Sequence, residues 1–347
     1  MSPLPRPTNV RSLLTGLLLL GMAGVAGACG TVDGTSTRLS GRSPLEHFQI
    51  GDPVAPTPEA VGAGLLLMGG GDHDPDAMQW FLQRAGHGHI VVLRASMSTD
   101  VADEIYRRFR GAVSVDTFVF HGRRAARDPV MLDCLAAADG IFIAGGDQSR
   151  YTAFWKNTDV ARLIDAHVAA GKPLAGTSAG LAILGEYLFS ARTPAVVTSD
   201  LALADPKGRD ITIDTDFLHL DVLKGYFTDS HFDKRRRLGR LVAFLTRANE
   251  MAARKGDKIE GLGIDEDTAL AVLPDGDARV YSADALAGAA WVHDVEGTAR
   301  KGRPLETGSL RVTYLGTQSR FNLRDHVARD VREERVFRVL DGQLHPR

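Results

Sequence analysis

Cysteine is nearly absent from this chain: two among 347 residues, Cys29 and Cys134. A small disulfide scaffold is thereby excluded, and with one cysteine in a leader region the sequence leads us to expect no disulfide. Cys134 has no basic neighbour and no glycine elbow, so it reads as a small apolar core residue rather than a nucleophile. The histidines are scattered, and no Cys/His pair with ligand spacing is followed by a second, so no metal site is expected. Charge of one sign is lacking as well: the formal net charge is -2. Nucleic acid and anionic membrane surfaces are therefore not expected partners. The one basic run, Lys234-Arg-Arg-Arg237, has no interleaved aromatics. Apolar runs of membrane-spanning length are missing too; Leu13 to Val25 is too short to cross.

That short run is instead the core of an export signal. Arg6 and Arg11 precede it and Ala26-Gly27-Ala28 follows as an A-x-A cleavage site, making residues 1–28 a signal peptide. Cys29 directly after the cut is similar to a bacterial lipoprotein site, so an exported protein with a lipidated N-terminus is expected ahead of plain secretion. Residues 29–58 are rich in Gly, Ser, Thr and Pro and read as a flexible tether.

From Gly64 onward short apolar runs alternate with amphipathic segments. Leu65–Met68, His89–Leu93, Val113–Phe120, Gly140–Ile143 and the run from Pro173 read as strands. Met78–Ala85, Asp100–Arg110, Asp128–Ala138 and Asp159–Ala170 read as helices. This alternation implies an α/β fold, a mostly parallel sheet flanked by helices. Ligands in such sheets bind at the carboxyl ends of strands, which puts the Gly-rich exits at Gly69, Gly145 and Gly176 on one rim. A long amphipathic helix follows from Leu238 to Met251. Beyond Gly261 the pattern predicts β-hairpins added to the same domain, 59–325, with a charged C-terminal tail over 326–347.

The chemistry is concentrated in Gly176-Thr177-Ser178-Ala179-Gly180. Preceded by a strand and followed by Leu181–Leu188, which reads as a helix, it fits a G-x-S-x-G nucleophile elbow. The Ala179 amide would face a developing oxyanion. A phosphate-cradling or close-packing turn is the bland reading of the same residues. His231 has the best local chemistry for a base: Ser230 and Asp233 resemble a capping box that would put it in a first helical turn, and Arg235 lies one turn on. A surface histidine that starts a helix is the alternative. For the acid, Asp200 lies between Ser178 and His231 and leads narrowly over Glu266, while Glu186 reads as structural.

Four blocks, Gly145-Gly-Asp-Gln148, Gly176–Gly180, Asp229-Ser-His-Phe232 with Arg235, Arg237 and Arg240, and Gly263-Ile-Asp-Glu266, together resemble the cyanophycinase and peptidase E family of serine peptidases. The resemblance covers roughly residues 60 to 290. It implies a fold like that of class I glutamine amidotransferases (flavodoxin-like), Ser178 as nucleophile, His231 as base, and an acid between them. It further implies oxyanion amides at Ala179 and at Gly145 or Gly146, Gln148 in the substrate pocket, no cofactor and a homodimer. Its substrate would be a peptide or cyanophycin, a poly-aspartate carrying arginine on its side chains, released as β-Asp-Arg dipeptides. Arg235, Arg237 or Arg240 would then receive carboxylates, and Asp147 or Asp229 the guanidinium. Leu181 and Arg94-Ala-Ser96 depart from the family pattern. An aspartyl dipeptidase and a non-catalytic binding lipoprotein remain as alternatives.

Overall fold

In a computed structural model, described over residues 43–253 and 256–347, the chain builds two sheets. The first six strands are β1 (Leu45–Gly51), β2 (Leu65–Met68), β3 (His89–Arg94), β4 (Ser114–Phe120), β5 (Gly140–Ile143) and β6 (Leu174–Thr177). Five of them form a parallel sheet in the order β4-β3-β5-β6-β2. Every residue of β2, β4, β5 and β6 is buried, as parallel strands covered on both faces require. One face packs on the helix Pro75–Arg84, with Phe81 and Met78 against Ile90, Val92 and Phe142. The other packs on the helices Pro129–Ala137, Gln148–Trp155 and Asp159–Ala169.

Local sequence explains the helix starts. Asp74 and Asp128 each accept a hydrogen bond from the amide three residues on, at 3.0 and 2.9 Å, and Pro75 and Pro129 occupy first-turn positions where an N–H is not needed.

The sheet then continues antiparallel through Thr268–Val272, Asp277–Ser282, Arg320–Asn322 and Val327–Arg329. A second, eight-stranded sheet runs from Gln343–Pro346 at one edge to Ile213–Thr215 at the other. It packs on the long helix Leu238–Ala252, whose Leu241, Phe244 and Leu245 are fully buried. More than hairpins is therefore added after Gly261.

Several expectations are corrected. Residues 45–51, assigned to the tether, form β1, paired antiparallel with β4. The charged tail is sheet: Glu333–Leu340 pairs with Leu310–Leu315 and buries Phe337 and Val339. Leu181–Leu188 is not one helix; a single turn, Ala179–Ala182, is followed by the strand Tyr187–Phe189. Cys134 sits in the core but is disulfide-bonded, against expectation. Residues 1–42, including the signal peptide and Cys29, lie outside the described residues. Among the described residues no helix is long and apolar enough to cross a membrane, and no cluster of metal-ligating side chains occurs.

Candidate active site

The strand order β5-β6-β2 puts the exits at Gly145, Ser178 and Gly69 side by side on the carboxyl rim. β6 ends at Thr177, paired with Met68, and the Ser178 amide donates to the Met68 carbonyl at 3.0 Å. There the chain reverses: Ser178 takes φ 52° and ψ -112°, a conformation that costs on the order of 1–3 kcal/mol and needs its surroundings to enforce it. The enforcement is visible. The Ser178 carbonyl accepts from the Ala182 amide at 3.0 Å, locking the turn onto its helix. Gly180 passes so close to the Ile143 carbonyl that any β-carbon would overlap it.

His231 arrives from the second sheet. It follows the strand Tyr226–Asp229, which runs parallel to Glu260–Ile264. Its amide donates to the Gly69 carbonyl at 2.8 Å and its φ is 47°. Glu266 leaves the neighbouring strand Glu260–Ile264, its amide donating to Asp233 at 3.0 Å. The Gly69–Gly71 loop joins these pieces, since the Asp267 amide donates to the Gly70 carbonyl at 2.8 Å and Asp267 accepts from the Asp72 amide at 2.6 Å. Gly70, at φ 99°, lies flat against the His231 ring, and a β-carbon there would overlap the imidazole. The sequence marks this loop as rim, but no signal in it shows that the loop seats the histidine.

Three side chains thus line up. The Ser178 hydroxyl is 2.7 Å from Nε2 of His231. Nδ1 of the same ring is 2.5 Å from Oε1 of Glu266. With Nδ1–H donating to the carboxylate, Nε2 is left as the acceptor for the serine proton. The histidine side chain is 11% exposed and that of Glu266 24%. Burial lowers the His231 pKa below its ordinary 6.5; the Glu266 hydrogen bond opposes this, and the nearby Arg235 and Arg237 charges add to the lowering. A helix dipole has no part in it, because the helix after the turn begins only at Leu238. The imidazole is neutral near pH 7, the form able to accept a proton.

The leading acid from the sequence is not in this line. Asp200 is exposed in the helix Ser199–Ala204 and lines a surface cleft with Phe232, Arg236 and Arg332 on the other side of the His231 turn. Glu266 occupies the position expected of it instead. Glu186 accepts from the Gly225 amide at 2.7 Å, a structural role as expected.

The arginines divide. Arg240 is 4% exposed and holds Asp229 through Nε at 2.8 Å and Nη2 at 2.5 Å, with a third bond to the Val197 carbonyl. Arg237 donates to the Ser230 carbonyl at 2.7 Å and reaches Asp229 at 3.3 Å. Asp229 is 2% exposed. These three are committed to one another beneath the His231 turn, so the roles foreseen for them in meeting substrate are corrected. Arg235 is exposed and in no ion pair among the described residues. Gln148 opens the helix Gln148–Trp155 and donates to the Phe189 carbonyl. Asp147 caps that helix, accepting from the Ser149 amide at 2.9 Å. A β-carbon on Gly145 would lie 3.3 Å from the Ser178 β-carbon, so the Gly145-Gly146 turn borders the serine directly.

The chain is 28% identical over 299 residues to cyanophycinase from Trichormus variabilis, covering 81% of this chain and 93% of that one. It is 30% identical over 310 residues to cyanophycinase from Synechococcus elongatus, covering 83% and 88%. Among solved structures, a peptidase from an acI-B1 Actinobacterium aligns at TM-score 0.49 and 16% identity over 75% of this chain and 96% of that one. A putative peptidase E protein from Listeria monocytogenes aligns at TM-score 0.41 and 15% identity over 64% and 99%. The model of peptidase family S51 matches residues 65–280, which hold Ser178, His231 and Glu266 alike, and the chain belongs to that family as a serine-type peptidase.

Proposed function

We propose that the protein hydrolyses cyanophycin to β-Asp-Arg dipeptides through an acyl-enzyme. The observation that carries the mechanism is the continuous line from Ser178 Oγ through the His231 ring to Glu266. Ser178 attacks the carbonyl carbon as His231 Nε2 takes its proton, and Glu266 holds the ring in the required tautomer and stabilises the imidazolium that forms. The same proton passes to the leaving amine, the C–N bond breaks, and water activated by His231 then releases the acyl group. Amides of Ala179 and of the Gly145-Gly146 turn receive the oxyanion, each worth about 3 kcal/mol. The similarity to cyanophycinases supports the substrate. Exposed Arg235 is the guanidinium of its block left to meet a substrate carboxylate.

Export belongs to this reading, with residues 1–28 as leader, and so does a homodimer. The Cys29 sulfur can carry a lipid or a disulfide but not both, and the mass of the N-terminal peptide recovered from the cell envelope distinguishes them. The function is tested by incubating the mature protein with cyanophycin granules and weighing the products. The expected product is β-Asp-Arg, with turnover falling by roughly 10⁴- to 10⁶-fold in Ser178→Ala. Full hydrolysis by that variant refutes the mechanism, and intact granules refute the substrate.

A further inference from the structure

Arg94 ends β3, two strands from the serine in the sheet order, at a position the mechanism above does not use. It is 8% exposed, yet its guanidinium has almost no partner. Nε and Nη1 are buried without a hydrogen bond among the described residues, and the one bond it makes is a long one, from Nη2 to the Ser96 hydroxyl at 3.4 Å. Among the described residues no carboxylate pairs with it; Tyr151 and Asp100 are the groups whose charge acts on it. The Tyr151 hydroxyl is itself committed, donating to the Ala144 carbonyl at 2.7 Å. The neighbouring Arg150 is also turned elsewhere, to the Ala95 carbonyl at 2.9 Å.

An unpaired buried cation costs several kcal/mol, and a fold retains one where something supplies the missing charge. The direction in which that charge arrives is set by the rim. Ser96 Oγ would lie 2.9 Å from a β-carbon on Gly146, and Gly145 touches Ser178 in the same sense. Arg94, Ser96, Gly146, Gly145 and Ser178 thus follow one another along the carboxyl edge. Ser96 stands between Gly146 and Nη2 of Arg94, and Gly145 stands between Gly146 and the serine.

We propose that Arg94, with the Ser96 hydroxyl, is a specificity residue that receives a carboxylate carried by the unit whose carbonyl is presented to Ser178. This rests on the hydrolase reading above and sharpens its substrate class. In a polymer of β-linked Asp-Arg units, the free carboxylates are those of the arginines, one per unit, and one of these is the anion that Arg94 awaits. Charge-assisted bonds to a planar guanidinium are the strong, geometry-selective kind, and a site built for such a group rejects an analogue lacking it.

The test reads binding, not turnover, in the full chain carrying Ser178→Ala. Two probes are titrated by calorimetry: a trimer of β-Asp-Arg units with free arginyl carboxylates, and the same trimer with each carboxylate converted to an amide. The free acid is expected to bind at least tenfold more tightly. With Arg94→Gln added, that preference should shrink to within about threefold, and with Arg94→Lys it should be intermediate. Equal affinity for the two trimers, or a preference that survives Arg94→Gln, overturns the inference. A merely structural arginine would weaken both trimers alike and so also counts against it. If Arg94→Gln does not fold, the lysine variant decides: it must lower the acid-to-amide ratio. Failure here leaves the hydrolase reading standing, since granule digestion is scored separately. A protein that cleaves nothing but discriminates between the trimers keeps Arg94 and loses the proposed function.

Discussion

Glu266 and Asp200 are both carboxylates within reach of a plausible triad on paper, and what separates them is the strand each one leaves. Glu266 exits beside the strand that delivers His231, so its oxygen meets Nδ1 at 2.5 Å. Asp200 begins a helix that packs against the helix after the His231 turn, and its carboxyl points to a surface cleft. Glu266→Gln should therefore lower kcat by about 10⁴-fold by allowing the wrong histidine tautomer, while Asp200→Asn stays within about twofold, both by steady-state peptide hydrolysis. The reverse ranking would restore Asp200. Ser178 was legible in the sequence because everything an elbow needs lies within five residues of it. The acid was not, since chain order favours a residue between serine and histidine, and nothing local reveals that Glu260–Ile264 pairs with Tyr226–Asp229. Arg237 and Arg240 looked like ligand residues for the same reason: the burial of Asp229, which holds them, comes from distant strands.

At the scale of the element, two loops hold the site. The turn after Asp229 is pinned from below by Arg240 and Arg237, and the Gly69–Gly71 loop pins it from the side through the bond from His231 to Gly69. Removing Arg240 leaves the buried Asp229 carboxylate with only the Ser230 amide at 2.9 Å and the longer Arg237 contact at 3.3 Å. Arg240→Leu is expected to destabilise the protein by about 3–5 kcal/mol in urea unfolding, and a loss under 1 kcal/mol would show the pair to be dispensable. Gly70→Ala acts differently: a methyl against the imidazole displaces Nε2 from Ser178, so hydrolysis should fall by about 10²-fold with the fold retained. Wild-type turnover in that variant would mean the ring is not seated by this loop. The parallel strands were readable as unbroken apolar runs with glycine stops. The single turn at Ala179–Ala182 resembles the start of a longer helix in sequence because Tyr187–Phe189 continues its apolar run, although Gly185 intervenes. The last strands are hidden by charge: Glu333–Leu340 opens with three exposed charged residues in a row, Glu333, Glu334 and Arg335, and only its second half, burying Phe337 and Val339 around exposed Arg338, shows the period of two.

For the whole molecule, two histidines contribute distinct parts of the response to acid. His167 is 5% exposed, its Nε2–H donating to the Pro173 carbonyl at 3.0 Å, and burial brings its pKa down to about 4 from 6.5. Because the unfolded chain binds this proton more readily, the contribution of His167 is intact above pH 6.5 and is lost as pH falls towards 4. The loss is on the order of 3 kcal/mol. Urea unfolding across that window should show the slope, and His167→Gln should flatten it; an unchanged slope contradicts the assignment. His231 governs activity over a nearby range. Its pKa is lowered too, so the neutral base persists at neutral pH, and turnover should decline only as pH drops below the ordinary 6.5 of histidine.

Catalysis by this site depends on activation of the Ser178 hydroxyl by the His231 ring. The direct measurement is the rate of phosphonylation by a fluorophosphonate probe as a function of pH, with the modified peptide identified by mass. The prediction is a single modified peptide containing Ser178, at a rate that rises with pH to a plateau reached near neutrality and that collapses in His231→Ala. Absence of label on Ser178, or a rate in His231→Ala equal to that of the unaltered protein, would contradict it.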